Sequence, residues 1–228
     1  MVAGRPPSVK RVLASRRVDE RLSEMRRSYG GGSLSESDLA ADWLTQLRRW
    51  LDEAARAGLP EPNAMVLATA GADGVPGGRT VLLKEADERG LAFFTNLRSR
   101  KGRELGENPH AALVFPWHAM QRQVVVDGRV EPLGPEESDA YFASRPRGAR
   151  LGSLASPQSQ PIAGREELER RFAELEAQPG DVPRPEWWGG LRVVPDAVEF
   201  WQGRPDRLHD RLRFRRAAEE WVVERLAP

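Results

Sequence analysis

Apolar side chains recur at helical spacing in the segment 35–59, which follows the glycine-rich sequence GGGS at residues 30–33. They fall on one face of a 3.6-residue period, so the spacing predicts one amphipathic helix. The GGGS sequence is interpreted as a linker that precedes this helix. The apolar positions are Leu39, Trp43, Leu44, Leu47, Trp50, Leu51 and Ala54.

Short runs rich in Val, Leu and Phe then replace the helical spacing, and turn sequences rich in Gly, Asp and Pro separate the first of them. Closely spaced runs of this kind predict the strands of an antiparallel sheet or barrel. Helical patterns between the runs predict helices attached outside, so the expected architecture is mainly β with peripheral helices. The predicted strands are 64–70, 79–85, 91–96, 111–117, 122–133 and 191–201, with a closing hairpin at 211–228 and helices at 99–107, 135–143 and from 164.

Composition narrows the chemistry that is available to the chain. A length of 228 residues suits one domain with a sizeable core, although two domains are compatible with it. The formal net charge of +1 gives no strong field toward nucleic acid or an anionic membrane, so neither is an expected partner. The chain has no cysteine and its three histidines show no metal-ligand spacing, which leaves no predicted metal site.

Residues 1–24 are basic and contain no apolar stretch as long as that of a signal peptide. No later segment approaches the roughly 20 apolar residues of a membrane-spanning helix. We therefore expect a cytoplasmic protein with a flexible N-terminal tail. A transit peptide is the alternative, and Asp19 and Glu20 argue against it.

Three basic side chains alternate near the C-terminus, where Arg207, His209 and Arg211 follow the strand-like run 191–201. Because successive strand residues point to opposite faces, this spacing predicts that the three share one cationic face. A solvated edge strand is the alternative interpretation.

Two further segments carry charges that suit an anion. In the first, Ser99 is the expected N-cap of a helix that begins with Arg100 and Lys101, which predicts either a phosphate cradle or an exposed basic turn. In the second, residues 143–152 are interpreted as a cationic loop, in which Arg145 and Arg147 are candidates for bidentate phosphate recognition. A solvated loop is the alternative interpretation.

The sequence RTVLLK at 79–84 has a basic residue at each end of an apolar strand. The pleat places odd-numbered and even-numbered side chains on opposite faces, so Arg79 and Lys84 are predicted to point to different sides. Separate cationic clusters suggest two phosphorylated ligands, each held by charge-assisted hydrogen bonds.

The stretch VEFWQGRPDRLHDR at 198–211 resembles the signature of the pyridoxamine 5′-phosphate oxidase family, in which Glu, an aromatic and Trp precede Arg, an aliphatic residue, His, an acidic residue and Arg. The resemblance covers about residues 25–228. It implies a single FMN-binding split β-barrel domain over these residues and a homodimer with FMN at the subunit interface. Further blocks resemble the family in the same order, at 79–84, 93–101, 115–128, 141–148, 156–162 and 187–193.

The resemblance also implies an activity. The family oxidises pyridoxamine 5′-phosphate or pyridoxine 5′-phosphate to pyridoxal 5′-phosphate. The implied reaction transfers hydride from substrate C4′ to flavin N5, and O2 then reoxidises the FMN with release of H2O2. The cofactor would carry the redox step, while the protein would contribute binding, orientation and electrostatics.

Carried over motif by motif, the resemblance implies roles for individual residues. Arg207 and His209 are the expected catalytic residues, and His209 either moves a proton or only positions the substrate. The implied substrate contacts are Arg26, Tyr29, Lys84, Tyr141, Arg145, Ala149, Arg207 and His209. The implied FMN contacts are Arg79, Thr80, Val81, Leu82, Leu83, Lys84, Phe94, Thr95, Arg100, Lys101, Gln123, Gln158, Ser159, Trp201 and Arg211.

Two positions depart from the family pattern. Ala149 stands where the family usually has a serine hydroxyl on the substrate phosphate, which predicts weaker substrate affinity but not loss of activity. Phe94 replaces a commonly found tyrosine, which keeps the ring and removes its polar group.

Three other functions compete with this interpretation. An oxidase that acts on a different ring, such as a phenazine precursor, would have no use for Lys84 and Arg145 as phosphate ligands. A non-catalytic carrier of FMN or pyridoxal phosphate would have no use for Arg207 and His209. A nucleic-acid binder would show steeply salt-dependent affinity, which a nearly neutral chain gives little reason to expect.

Overall fold

The computed structural model describes residues 22, 24, 25, 27–30 and 32–228. These residues form nine β-strands and five α-helices, which confirms the mainly β architecture with peripheral helices. The strands are β1 (Ala64–Ala70), β2 (Pro76–Leu82), β3 (Glu85–Asp87), β4 (Gly90–Asn96), β5 (His110–Trp117), β6 (Arg122–Pro132), β7 (Trp188–Gln202), β8 (Asp210–Ala217) and β9 (Glu220–Arg225). The helices are α1 (Trp43–Arg56), α2 (Arg100–Glu107), α3 (Pro135–Ser144), α4 (Arg147–Ala155) and α5 (Arg165–Glu176).

Almost all of the predicted tail at 1–24 lies outside the described residues, so a domain boundary there stays a prediction. Helix α1, with 14 residues, is the longest helix in the part of the chain that the structure describes. None of these described helices combines the length and the apolar composition that crossing a membrane would require.

The nine described strands join one antiparallel sheet with the order β2-β1-β5-β6-β7-β4-β3, in which β8 also pairs with β7 and β9 pairs with β8. The sheet divides along β7, because residues 188–193 pair with β4 while residues 197–202 pair with β8. A register shift between Asp127 and Gly128 in β6 lies opposite this division. Such irregularities bend a strand and increase its twist, so the sheet curls around the shared strands β6 and β7.

Helix α1 covers the main core with the apolar face that the sequence predicted. Its N-cap Asp42 accepts a hydrogen bond of 2.8 Å from the N–H of Thr45. Trp50 packs edge-on against Phe200 of β7, with 5.3 Å between the ring centroids. The buried apolar side chains of the helix are Trp43, Leu44, Leu47, Trp50 and Ala54, each of the larger ones worth about 1.5–3 kcal/mol on burial.

A second, smaller core lies under α3 and α4. Its buried side chains are Phe142, Leu151, Val182 and Trp188. Phe142 meets Trp188 edge-on, with 4.8 Å between ring centroids. This core fixes the start of β7 against the two helices, and it supports the wall of the cleft described below.

The cationic loop predicted at 143–152 is wrong, because Arg147–Ala155 form helix α4. Arg147 donates hydrogen bonds to the carbonyl oxygens of Gln178 and Gly180, at 2.9 and 2.6 Å. These contacts and the burial of Leu151 offset the low helix propensity of the glycines in the segment.

The predicted single strand face for Arg207, His209 and Arg211 is also wrong. Strand β8 begins only at Asp210, and Pro205–Arg207 form a short 3-10 turn. Arg207 has a φ of 62°, in the left-handed region that no strand residue adopts. The hairpin predicted at 211–228 is confirmed by β8 and β9.

Candidate functional site

A cleft of about 490 Å³ opens between β2, β4, α3 and α4. It is lined by the cations Lys84, Lys101 and Arg145 and by no aspartate or glutamate, and we call it the anion cleft. None of these three cations forms an ion pair with a carboxylate of the described residues. The predicted contacts that line it are Thr80, Val81, Leu82, Lys84, Phe94, Thr95, Lys101, Tyr141, Arg145, Ala149 and Gln158.

Lys101 carries a buried charge at one end of the anion cleft. The predicted N-cap is confirmed, since Ser99 Oγ accepts from the N–H of Gly102 and begins helix α2. Lys101 is 7% exposed, and its Nζ donates to Thr95 Oγ1 at 3.1 Å and to Gln158 Oε1 at 3.3 Å. Burial lowers the pKa of Lys101, and the positive charge of Arg79 lowers it further. The nearby Glu104 carboxylate opposes this shift, but the hydrogen-bond partners of the ammonium are all neutral, which leaves room for a direct anionic partner.

Three stacked rings form a wall of the anion cleft. Phe94 stacks on Tyr141 with 3.9 Å between centroids and an interplanar angle of 20°. Trp188 continues the stack, with 5.6 Å to Phe94. The ring of Phe94 therefore packs between Tyr141 and Trp188 through aromatic contacts that need no polar group.

Two of the predicted phosphate ligands lie against this wall. Lys84 Nζ lies 6.0 Å from the centroid of Tyr141, and the Arg145 guanidinium lies 4.9 Å from that of Trp188. Burial lowers the pKa of Arg145 from its ordinary value. The structure thus brings Lys84, Tyr141 and Arg145 together, as predicted.

Arg79 and Arg100 lie outside the lining of the anion cleft, on either side of the buried carboxylate of Glu104. Glu104 accepts from Arg79 Nη2 at 3.0 Å and from Arg100 Nε at 2.6 Å. Its burial favours the neutral acid, but hydrogen bonds from Thr69, Arg100 and Arg79 outweigh this and lower its pKa. FMN contacts by Arg79 and Arg100 stay predictions.

A second cleft, of about 670 Å³, contains Arg207 and His209, and we call it the histidine cleft. The His209 ring lies 4.6 Å from Trp201 and 5.6 Å from Tyr29, between centroids. Its Nδ1 accepts a hydrogen bond of 3.0 Å from the backbone N–H of Arg204. An accepting nitrogen carries no proton, so the neutral ring holds its proton on Nε2.

Three predicted FMN contacts form one row across the sheet beside the histidine cleft. Gln123 of β6 pairs with Trp201 of β7, and Trp201 pairs with Arg211 of β8. Directly paired residues share a face of the sheet. Arg211 is held by Glu199, with hydrogen bonds of 2.7 and 2.9 Å that raise the pKa of the guanidinium.

The remaining predicted residues fall elsewhere. Leu83 is buried in the main core, and Ser159 is exposed outside the lining of the anion cleft. Arg26 lies outside the described residues. The two clefts share no lining residue, so the structure of one chain divides the predicted site into two parts.

Sequence reasoning missed Ser153, Trp188 and Glu104. Ser153 follows Ala149 by four residues, a spacing that would have pointed to it if α4 had been recognised as a helix. No sequence signal shows that Trp188 faces a ligand cleft. Glu104 lies four residues after Arg100, a helical ion-pair spacing that was available in the sequence.

Residues 51–179 match a sequence model of the family described as Pyridoxamine 5'-phosphate oxidase. Residues 188–228 match a second, described as the Pyridoxine 5'-phosphate oxidase C-terminal dimerisation region. The chain is 56% identical to the Pyridoxine/pyridoxamine 5'-phosphate oxidase of Cupriavidus pinatubonensis and 57% identical to that of Thermosynechococcus vestitus. Each alignment spans 209 residues, 91% of this chain and 99% of the relative.

Among solved structures, PhzG from Burkholderia lata in complex with tetrahydrophenazine-1-carboxylic acid has a TM-score of 0.82 and 36% identity, and covers 87% of this chain and 100% of its own. An FMN binding protein related to pyridoxamine 5'-phosphate oxidase, from Nostoc punctiforme, has a TM-score of 0.68 and 20% identity over 83% of this chain and 100% of its own. The fold is that of the FMN-binding split barrels, as predicted. The chain belongs to the pyridoxamine 5′-phosphate oxidase family of enzymes.

Proposed function

We propose that this protein catalyses the FMN-dependent oxidation of pyridoxine 5′-phosphate or pyridoxamine 5′-phosphate to pyridoxal 5′-phosphate. The observation that carries the proposal is the anion cleft, where three cations without carboxylate partners lie beside stacked aromatic rings. Phosphorylated aromatic molecules complement such a cleft in both charge and ring surface. The names of the curated relatives support the same reaction.

The surroundings of Lys101 fit the phosphate of FMN. Its buried ammonium has hydroxyl and amide hydrogen-bond partners only, so a phosphate would supply the direct anionic partner that no described residue provides. Thr95 and Gln158 would hold the same phosphate, and the β2 residues 80–82 would lie along the flavin ring. When bound, FMN supplies the redox chemistry, taking two electrons from the substrate and passing them to O2 to give H2O2.

Lys84, Tyr141 and Arg145 would hold the phosphate of the substrate. Each charge-assisted hydrogen bond contributes about 1.5–3 kcal/mol, so three of them together contribute about 4.5–9 kcal/mol, a range that includes the roughly 8.2 kcal/mol of micromolar binding. The stack formed by Phe94, Tyr141 and Trp188 would offer an aromatic surface beside this phosphate site. This site therefore selects substrates that carry a phosphate.

Arg207 and His209 would act on the substrate from the histidine cleft. Tyr29 and Trp201 pack against the imidazole, and the Arg204 N–H occupies Nδ1, so Nε2 is the nitrogen available to a ligand. In this tautomer His209 is a hydrogen-bond donor that orients the reacting substituent of the pyridine ring. Orientation of this kind is where a protein accelerates a cofactor's chemistry.

A homodimer would unite the two clefts. Trp188, in the anion cleft, and Trp201, beside His209, are separated along β7 by 13 residues, a contour of about 43 Å at the usual strand rise. We infer that the anion cleft of one protomer faces the histidine cleft of its partner, with FMN between them. The match of residues 188–228 to a dimerisation region supports this assembly.

The similarity to PhzG makes a phenazine-type ring the alternative substrate. Such a ring, without a phosphate, would leave the charges of Lys84 and Arg145 uncompensated in the cleft. Substrates with and without a phosphate therefore separate the two candidate functions.

The test is to load the purified protein with FMN and to supply pyridoxine 5′-phosphate or pyridoxine in air, following pyridoxal 5′-phosphate and H2O2. We expect turnover of the phosphorylated substrate, a raised KM in Lys84→Ala, and a lowered kcat with an unchanged flavin spectrum in His209→Ala. His110→Ala is the matched control, because His110 is exposed at the start of β5 and lines neither cleft. Equal turnover of pyridoxine and its phosphate would contradict the proposal.

A further inference from the structure

Helix α4 carries a hydroxyl that contacts a cation of the anion cleft. Arg145 Nη1 donates a hydrogen bond of 2.9 Å to Ser153 Oγ, and both residues line the cleft. Ser153 Oγ donates in turn to the carbonyl oxygen of Ala149, at 3.1 Å. Ser153 thus lies one helical turn after Ala149, on the same side of α4.

This hydroxyl can change partner at low cost. In an α-helix the carbonyl of Ala149 also accepts from the N–H of Ser153, so it keeps a hydrogen bond when the hydroxyl turns away. Arg145 has no carboxylate partner among the described residues, so no carboxylate competes with an anion for its guanidinium. A phosphate oxygen would accept from both groups, and hydrogen bonds to a charged acceptor are stronger than the neutral one given up.

Ser153 can supply the hydroxyl group that the side chain of Ala149 lacks. Ala149 lines the anion cleft but offers no polar side-chain atom. A hydroxyl one turn further along the same helix therefore presents to the cleft what a serine at residue 149 would have supplied.

We propose that Ser153 is the hydroxyl ligand of the substrate phosphate in this protein and that it makes up for Ala149. The identity of the substrate rests on the function proposed above. As a ligand of the phosphate, Ser153 acts on the binding of the phosphorylated substrate and not on the rate of the chemical step.

The experiment compares Ser153→Ala with the parent, both loaded with FMN. We expect the KM for pyridoxine 5′-phosphate to rise about tenfold to a hundredfold, with kcat changed by less than about twofold. The KM for unphosphorylated pyridoxine should not change. The double variant Ala149→Ser, Ser153→Ala returns a hydroxyl one turn earlier and should restore most of the lost affinity.

Ser144→Ala is the matched control. It removes a hydroxyl that donates to the Tyr141 carbonyl at 2.8 Å, a contact of the same kind that lies outside the cleft lining. We expect it to leave both KM values unchanged.

Binding of inorganic phosphate to the FMN-loaded proteins, measured by calorimetry, separates this inference from the proposed function. If the parent does not oxidise the substrate but Ser153→Ala weakens phosphate binding about tenfold, the substrate assignment fails and the ligand assignment stands. If the parent is active and Ser153→Ala changes neither KM nor phosphate affinity, Ser153 is no ligand. An equal loss with unphosphorylated pyridoxine, or no rescue by the double variant, also overturns the inference, since it shows a structural role only.

Discussion

Replacing Lys101 with methionine should stabilise the FMN-free protein and weaken its binding of FMN. The lysine is 7% exposed, and Nζ contacts only neutral oxygen atoms of Thr95, Ser99 and Gln158, at 3.1 to 3.4 Å. Methionine keeps the aliphatic packing and removes the buried charge. Without an anion the charge is a cost, and with a phosphate it is an attraction, so the two effects have opposite signs.

The magnitudes follow from these contacts. Loss of one charge-assisted hydrogen bond to a phosphate costs about 1.5–3 kcal/mol, which raises the Kd for FMN about tenfold to 150-fold. The free energy of unfolding of the FMN-free protein should rise by about 1 kcal/mol. This is the desolvation cost of the buried ammonium minus the contribution of its three hydrogen bonds to neutral partners. Because the folded-state pKa of Lys101 is below its ordinary 10.5, this gain is full at pH values below the folded-state pKa and disappears as the pH rises through that pKa toward 10.5.

Fluorescence titration of the FMN-free protein with FMN gives the Kd, and urea unfolding gives the stability. Arg103→Met is the matched control, because Arg103 lies on the same helix, is exposed, and donates to the carbonyl of Arg98 at 2.7 Å. The control should change neither quantity strongly. An unchanged Kd for FMN in Lys101→Met would refute the assignment of Lys101 to the cofactor phosphate.

Two further predictions concern stability. Gly190→Ala should lower the melting temperature and raise the substrate KM, because the new Cβ would lie 2.5 Å from Leu133 Cδ1 and 2.7 Å from Phe94 Cε1, and Phe94 is a ring of the cleft wall. A variant that matches the parent in both quantities would contradict this close approach. Glu224→Gln should reduce the acid sensitivity of the fold, since a hydrogen bond from Arg215 is the main reason that the pKa of Glu224 is lowered to about 2. Glu224 contributes its full stabilisation above its ordinary pKa of 4.5, and this stabilisation is lost as the pH falls from 4.5 toward 2. If the urea midpoints of parent and variant fell by the same amount across that range, the prediction would be refuted.

The sequence predicted those helices and strands that bury one face and leave the other more exposed, because this difference sets the spacing of their apolar residues. Helix α1 buries one face and exposes the other, so Leu47 and Trp50 appear at helical spacing. Strand β5 alternates intermediate and buried positions for the same reason. Convergence of Lys84 with Arg145, distant in sequence, was implied only by the family resemblance, because no local pattern encodes a tertiary contact.

Other features depend on interactions that no local period records. The turn before β8 needs a left-handed φ at Arg207, and its alternating charges imitate a strand. Helix α4 is stabilised by hydrogen bonds from Arg147 to carbonyls about 30 residues further along the chain, which a reading of glycine and arginine content does not reveal. The pairing of Arg79 with Glu104 joins β2 to α2, and it likewise appears only in three dimensions.

The two ends of strand β7 belong to different clefts, which predicts that some pairs of inactive variants can complement each other. In the proposed homodimer, the anion cleft of a given chain belongs to one active site and its histidine cleft belongs to the other. A substitution in one cleft of that chain therefore inactivates only one of the two sites. A variant inactivated in the anion cleft and a variant inactivated in the histidine cleft should therefore complement each other when they are mixed. Half of the dimers formed would contain one chain of each kind, and each of these dimers would have one intact active site. Because half of the dimers would each have one of their two sites intact, about a quarter of the parent's activity should return, although both chains still carry their substitutions.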